Sequence, residues 1–288
     1  MPELPEVETT RLSLLSSVKG RTITRVELKR DTLRIPFPKD FARHVNGQKV
    51  LDIRRRAKYL LFDLDNGDHM LAHLGMSGSF TLAEAKKHLL RKHDHALFFL
   101  DNGQVLVFHD PRRFGLIDLI KQGAEAANPF LAHLGPEPLE KAFSATYLRA
   151  ALAKRKGPIK PTLMDQRLVV GVGNIYASES LFLAGIHPST PANETLDHAE
   201  AIVKAIRQSL NAALKSGGST LRDFTHGEGV TGYFQHQFNV YERQAEPCVA
   251  CGRDIRMITQ AGRSSYFCAT CQKLSKPIKK FHGKKAKN

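Results

Sequence analysis

With 288 residues, the chain is long enough for two lobes with separate cores rather than one small domain, and its 42% hydrophobic and 25% charged residues let most of it fold without help. No run of about 18 apolar residues offers a membrane span, and the acidic N-terminus lacks the basic-then-apolar layout of a secretory signal, so the expected location is cytoplasmic. The 43 Lys plus Arg against 28 Asp plus Glu leave a formal charge of +15, which favours a polyanionic partner such as nucleic acid or an anionic membrane, although a merely soluble basic protein has the same balance.

In chain order, residues 2–18 read as a helix, with a proline near the first turn and Glu3, Glu6 and Glu8 toward its positive end. From about residue 20 to 120 the pattern is that of strands, alternating in "TITRVELKR" and β-rich in "KYLLFDLDNGDHMLAHL" and "HALFFLDNGQVLVFHD". Asn66-Gly67 and Asn102-Gly103 sit between apolar runs. Such pairs readily take the two positive φ angles of a type I′ turn, so each marks a hairpin. The fold expected of this half is an antiparallel β-sandwich carrying an N-terminal helix.

Beyond "HLGPEPLE" the period becomes helical. The stretch "IKPTLMDQRLVVGVGNIYASESLFLAG" reads as helix, tight turn at Gly171-Val172-Gly173, and second helix opening at Asn174. Free backbone N–H groups at such a start suit a DNA phosphate; a structural helical hairpin has the same pattern. Next, "LDHAEAIVKAIRQSLNAALKSGG" reads as one helix, with Asp197 and Glu200 to cap its start and Gly217-Gly218 to end it. Residues 220–233 read as a glycine-rich loop, and the lysine-rich tail after Lys273 is expected to be disordered and attracted to phosphate.

The four cysteines fall as Cys248-x2-Cys251 and Cys268-x2-Cys271, with 16 residues between the pairs. Two such knuckles can meet one Zn²⁺ tetrahedrally and leave no open coordination position, so the metal is expected to be structural; disulfides and free thiols are the alternatives. Between the pairs, "RMITQAGRSSYF" alternates like a hairpin and puts Arg263 near its tip, where a guanidinium can reach phosphate or simply be solvated. At the other end stands "MPELPEVE". Removal of Met1 would expose a secondary amine at Pro2, with a reference pKa of about 7.7–8.0 for an α-amine. Its attack on a sugar C1′ gives an iminium that acidifies the C2′ proton and permits phosphate elimination, with Glu3 and Glu6 near enough in sequence to serve as acid or base. An ordinary helix start is the plain alternative.

The ordered set "PELPEVE", "RRRAKYLL", "HLGMSGS", "KHDH", "DPRRFG", "LMDQRLVVGVGNIYASESLF" and the late four-cysteine finger resembles that of formamidopyrimidine-DNA glycosylases, up to about Lys273. The resemblance implies an α+β multidomain protein: a catalytic β-sandwich with N-terminal helix over 1–133, a helix–two-turn–helix domain over 134–240, a zinc finger over 241–273 and a basic tail over 274–288. It further implies a bacterial monomer, associated with the nucleoid, that acts on double-stranded DNA containing oxidised bases, excises oxidised purines and cleaves the strand by β,δ-elimination. In that pattern Pro2 is the Schiff-base nucleophile, Glu3 the acid for ring opening and base loss, Lys58 a lysine acting in β-elimination, and Arg263 a phosphate grip linked to δ-elimination. Asn174, His93, Arg112 and Arg155 match DNA-contacting positions, the last often lysine in the family, while Glu6 matches a second carboxylate. Met76, Arg112 and Phe114 match the residues that fill the gap left by an extruded nucleotide, a gap any enzyme attacking a duplex C1′ must manage. Without the resemblance, Met76 and Phe114 would read as core residues and His93 as a surface or strand histidine.

Two other readings compete. A zinc-ribbon binding protein accounts for the charge, the finger and Asn174, but gives Pro2, Glu3 and Lys58 no part. The related endonuclease VIII type, which prefers oxidised pyrimidines, typically begins "PEGPE" where this chain has "PELPE", and "DPRRFG" also favours the purine branch.

Overall fold

The computed structural model describes residues 1–217 and 238–274; the 220–233 loop and the tail from 275 lie outside the described residues. Helix α1 spans Leu4–Val18, with Glu3 at its N-cap and Pro5 in its first turn. It starts two residues later than the sequence suggests, because the backbone N–H of Glu3 is already held by Glu6 Oε2 at 2.9 Å.

Eight strands follow: β1 (Ile23–Leu28), β2 (Val50–Arg56), β3 (Tyr59–Leu64), β4 (His69–His73), β5 (Ser79–Glu84), β6 (Asp94–Leu100), β7 (Gln104–His109) and β8 (Leu116–Ile120). They form two antiparallel sheets, ordered β1-β6-β7-β5 and β2-β3-β4-β8. Alternation along each strand turns one row of side chains inward, and the two inner faces share a core. Phe62 of one sheet meets Phe80 of the other at 5.6 Å between ring centroids, and Phe80 meets Phe108 at 5.0 Å. A short helix, α2 (Phe41–Val45), was not apparent in the sequence; it delivers Phe41 to the edge of this core, 6.3 Å from Phe98.

Both Asn-Gly hairpins form, but not with type I′ turns. Only the glycines have positive φ, +84° at Gly67 and +80° at Gly103, and each donates its N–H to the carbonyl three residues back. Asn66 and Asn102 instead spend their side chains accepting the N–H groups of Asp68 and Gln104, an Asx arrangement that favours longer loops.

Helices α3 (Ala145–Leu152), α4 (Ile159–Leu163), α5 (Asn174–Leu183) and α6 (Ala199–Lys215) build a second core around Leu148, Ile159, Leu163, Tyr176, Ile206 and Leu210. At the start of α6 neither Asp197 nor Glu200 caps: His198 is the N-cap and makes no side-chain cap bond, because a 3₁₀ turn over Leu196–His198 leads straight in. Among the described residues, no helix is long and apolar enough to cross a membrane. Helix α1 joins the two cores, since Leu4 packs with the helices whereas Val7, Leu14 and Val18 pack in the sandwich. Its first turn is therefore held from both sides.

The finger hairpin pairs β9 (Arg256–Gln260) with β10 (Arg263–Phe267) through Ala261-Gly262. Here both turn residues have positive φ, 46° and 72°, the two-residue geometry that matches strand twist.

Candidate active site and zinc centre

The turn before α5 meets α1 at its N-terminus. Glu3, 2% exposed, accepts hydrogen bonds from the backbone N–H groups of Gly173 at 2.7 Å, Ile175 at 2.9 Å and Tyr176 at 3.4 Å. Two of the α5 N–H groups that the sequence offered to a DNA phosphate, those of Ile175 and Tyr176, are thus occupied, with that of the N-cap Gly173, by a carboxylate of the chain itself, an anion in the place the helix dipole favours. This explains the glycines: a Cβ on Gly173 would overlap the Glu3 carboxylate, and Gly171, at φ +78°, lies against the side chain of Leu4. Glu6, fully buried, receives the Tyr176 hydroxyl at 2.7 Å on its other oxygen.

Around Glu3 opens a cavity of about 340 Å³ whose walls include Met1, Lys58, Met76, Asn174, Tyr241 and Arg263. Pro2 is buried between two of its lining residues in the chain, Met1 and Glu3. Lys58, 6% exposed, sits in the turn between β2 and β3 and directs Nζ toward the Val172 carbonyl at 3.5 Å. Burial lowers its pKa, and the Arg263 charge adds to the effect, against the opposing pull of Glu3. For Glu3 burial is again the largest influence and raises the pKa; Glu6 adds to it, while Lys58 and the Ile175 N–H work against it. Environment thus brings acid and amine toward neutrality from opposite sides, the tuning expected of paired proton-transfer groups.

Arg263 stands exposed at the finger tip, as its position suggests, yet also lines the cavity. Asn174 does not offer its side-chain oxygen to solvent: Oδ1 accepts from Lys160 Nζ at 2.6 Å. The same ammonium reaches the Ser264 carbonyl at 2.8 Å and Ser265 Oγ at 2.9 Å, tying α4, α5 and the finger tip together. Sequence reading missed Lys160, Tyr176, and Tyr241, whose phenol is hydrogen-bonded to Asn174 and whose pKa burial raises. The only signal for the first two was their place within the "IKP" and "GNIYASES" runs.

Of the remaining predicted residues, Met76 lines the same cavity, whereas Phe114, Arg112, His93 and Arg155 are not part of its lining. Phe114 is 46% exposed and Met76 half-buried, so neither is a core residue. The guanidinium of Arg112 lies 5.2 Å from the Phe114 ring centroid. His93 is half-buried with its ring 5.9 Å from His109. Arg155 is paired with Asp165 at 3.4 Å.

His73, at the end of β4, accepts the Gly75 N–H on Nδ1 at 2.9 Å, and burial, then Lys58 and Arg34, lower its pKa to about 3. The unfolded chain, near 6.5, takes up that proton first, so stability is lost as pH falls from 6.5 toward 3. Between pH 7 and 5 the parent chain should lose about 1–2 kcal/mol more than His73→Asn, whose amide oxygen replaces the acceptor without titrating. Urea unfolding of both proteins at each pH checks this; parallel losses would refute it.

In the finger, the sulfurs of Cys248, Cys251, Cys268 and Cys271 all lie within 4.8 Å of one another, with pairs at 3.9 Å and 3.5 Å. Tetrahedral Zn–S bonds of about 2.3 Å require separations near 3.8 Å, so the donor set and its spacing fit one structural zinc. Elemental analysis should find about one zinc per chain, and stripping it should cost the finger hairpin and affinity for duplex DNA before the sandwich unfolds. A folded, active protein without zinc would contradict this.

Comparisons with known proteins agree with that architecture. The formamidopyrimidine-DNA glycosylase N-terminal domain matches residues 1–117, that family's H2TH domain matches residues 134–225, and a zinc finger found in FPG and IleRS matches residues 245–274. Formamidopyrimidine-DNA glycosylases of Ruegeria pomeroyi and Afipia carboxidovorans are 46% and 47% identical to this chain, covering 95% of it and all of each relative. Among solved structures, the MutM (Fpg) protein of Thermus thermophilus superposes with a TM-score of 0.86 at 41% identity, over 96% of this chain and all of that one. Lactococcus lactis Fpg in complex with abasic-site DNA gives 0.88 at 34% identity, over 94% of this chain and 99% of that one. With three matched segments in one order and full-length relatives of a single name, the chain belongs to the formamidopyrimidine-DNA glycosylase family.

Proposed function

We propose that this protein excises oxidised purines, 8-oxoguanine and formamidopyrimidines, from duplex DNA and then cleaves the strand by β,δ-elimination. The observation that carries the reading is the convergence of Glu3, Lys58 and Arg263 on one cavity beside Pro2, supplied by three separate parts of the chain. Holding the start of α5 accounts for a buried Glu3, but a protein that only bound DNA gives the desolvated amine of Lys58 in the same cavity no part.

The chemistry follows from those groups. Loss of Met1 frees the Pro2 nitrogen, which attacks C1′ of the damaged nucleotide as Glu3 donates a proton for sugar-ring opening and the base departs. Because the amine is secondary, the product is an iminium cation with no N–H proton to lose. It draws electrons from C2′; removal of the C2′ proton, with Lys58 assisting, expels the 3′ phosphate, and a second elimination, driven by loss of the C4′ proton through the conjugated iminium, expels the 5′ phosphate held by Arg263. Met76, Arg112 and Phe114 fill the stack vacated by the flipped nucleotide, while His93, Arg155 and Asn174 grip the backbone. Zinc, when bound, holds the finger that presents Arg263 and takes no part in bond making. The protein works as a monomer in the cytoplasm, with the domain division 1–133, 134–240, 241–273 and 274–288.

Incubation with duplexes carrying one defined lesion should release the oxidised purine and leave a one-nucleotide gap with phosphate at both ends. Release of oxidised pyrimidines alone, or no product from verified folded protein, would overturn the proposal.

A further inference from the structure

Lys58 owes its place to a strained turn. Strands β2 and β3 pair up to Arg56 and Tyr59, leaving Ala57 and Lys58 as a two-residue turn. Ala57 has φ +55°, a left-handed conformation that glycine adopts freely and alanine resists. Its backbone N–H is bound by Glu137 Oε1 at 2.7 Å. That oxygen also accepts from Arg56 Nη1 at 2.9 Å, and Oε2 accepts from Arg55 Nη1 at 2.8 Å. Arg55 closes the ring, donating to the Ala57 carbonyl at 3.0 Å and to Glu8 on α1 at 2.9 Å. Glu137 lies in the link between the sandwich and the helices and is only 7% exposed.

We propose that Glu137 is a positioning residue for the reaction: by holding Ala57 in its left-handed conformation, it aims Lys58 into the cavity that contains Glu3. The inference rests on the proposed role of Lys58. A buried carboxylate that merely cemented the interdomain link would need only the two arginines. The bond to the Ala57 N–H, made by the oxygen that also holds Arg56, is what a turn-setting role adds. Both polar groups of the Ala57 backbone are satisfied within this one network, so the turn cannot relax to a right-handed form without breaking it.

Single-turnover cleavage of a duplex with a preformed abasic site tests the idea in the full zinc-loaded protein. Glu137→Gln places an amide among the donors and should slow cleavage about tenfold or more, with duplex affinity changed less than about threefold. Adding Glu137→Gln to Lys58→Ala should change the remaining rate by less than about twofold, because the two act as a unit. Adding Ala57→Gly to Glu137→Gln should restore about fivefold, since glycine adopts the turn without the penalty that the carboxylate offsets for alanine. Should Glu137→Gln fail to fold, Glu137→Asp, one methylene shorter, enters the same cycle. Multiplicative losses in the Lys58→Ala background, or no rescue by Ala57→Gly, would overturn the inference and leave the Lys58 reading standing. If Lys58→Ala itself cleaves at the parent rate, both fall.

Discussion

Blocking the Pro2 nitrogen, by retaining Met1 or adding residues ahead of it, is expected to reduce both base release and strand cleavage below detection. An amide lone pair is delocalised into the carbonyl and cannot attack C1′, whereas a free α-amine has a pKa of about 7.7–8.0 and is partly unprotonated at neutral pH. Met1, bonded to that nitrogen, lines the cavity that also holds Glu3 and Lys58. With borohydride present, processed protein should become irreversibly joined to a lesion-bearing duplex, and peptide mapping should place the adduct on Pro2. Lys58→Ala should turn over more slowly, by about 10²–10⁴-fold if it moves the proton, yet still be trapped. An adduct on Lys58 in place of Pro2 would overturn the mechanism while sparing the activity.

Glu3→Gln carries the second large effect and separates two duties of one side chain. In its proposed role as the proton donor for base loss, Glu3 should be worth about 10²–10⁴ in excision rate. As the acceptor at the start of α5 it satisfies three buried N–H groups. Glutamine turns an NH₂ toward some of them and should lower stability by about 1–3 kcal/mol. Cleavage of a preformed abasic site, which requires no base to leave, should fall much less than excision. Burial raises the Glu3 pKa, and the proposed role requires the protonated form. Excision by the parent should therefore decline as pH rises through that raised value, and the variant's profile should lack this limb. Equal losses on both substrates with an unchanged pH profile would make Glu3 a structural cap and nothing more.

Chain-local patterns carried much of this in advance. The cysteine spacing announces the metal site because two short knuckles meet with little help from the rest of the fold. Strand alternation and the Asn-Gly pairs announce the hairpins, since side-chain period and glycine's positive φ are local properties. Where local rules compete the sequence misleads: Asn66 and Asn102 were equally able to take positive φ or to accept a neighbouring N–H, and did the latter.

The active site is of the other kind. Pro2, Glu3, Lys58 and Arg263 could be named from the ordered motifs of a family, but no periodicity states that the α5 N–H groups are filled by Glu3. Nor does any show that Lys160 joins Asn174 to the finger, or that Glu137 binds the N–H of Ala57. Glu3 and Gly173 are separated by 170 residues, as are Glu6 and Tyr176. Composition and spacing thus determined the domains' kinds, the zinc ligands and the net positive charge, which are properties of the chain itself. The directions of the Glu3 and Lys58 pKa shifts, the carboxylate at the start of α5 and the Glu137 contact to Ala57 depend on which buried groups meet when the two cores close on α1, and only the tertiary structure decides that.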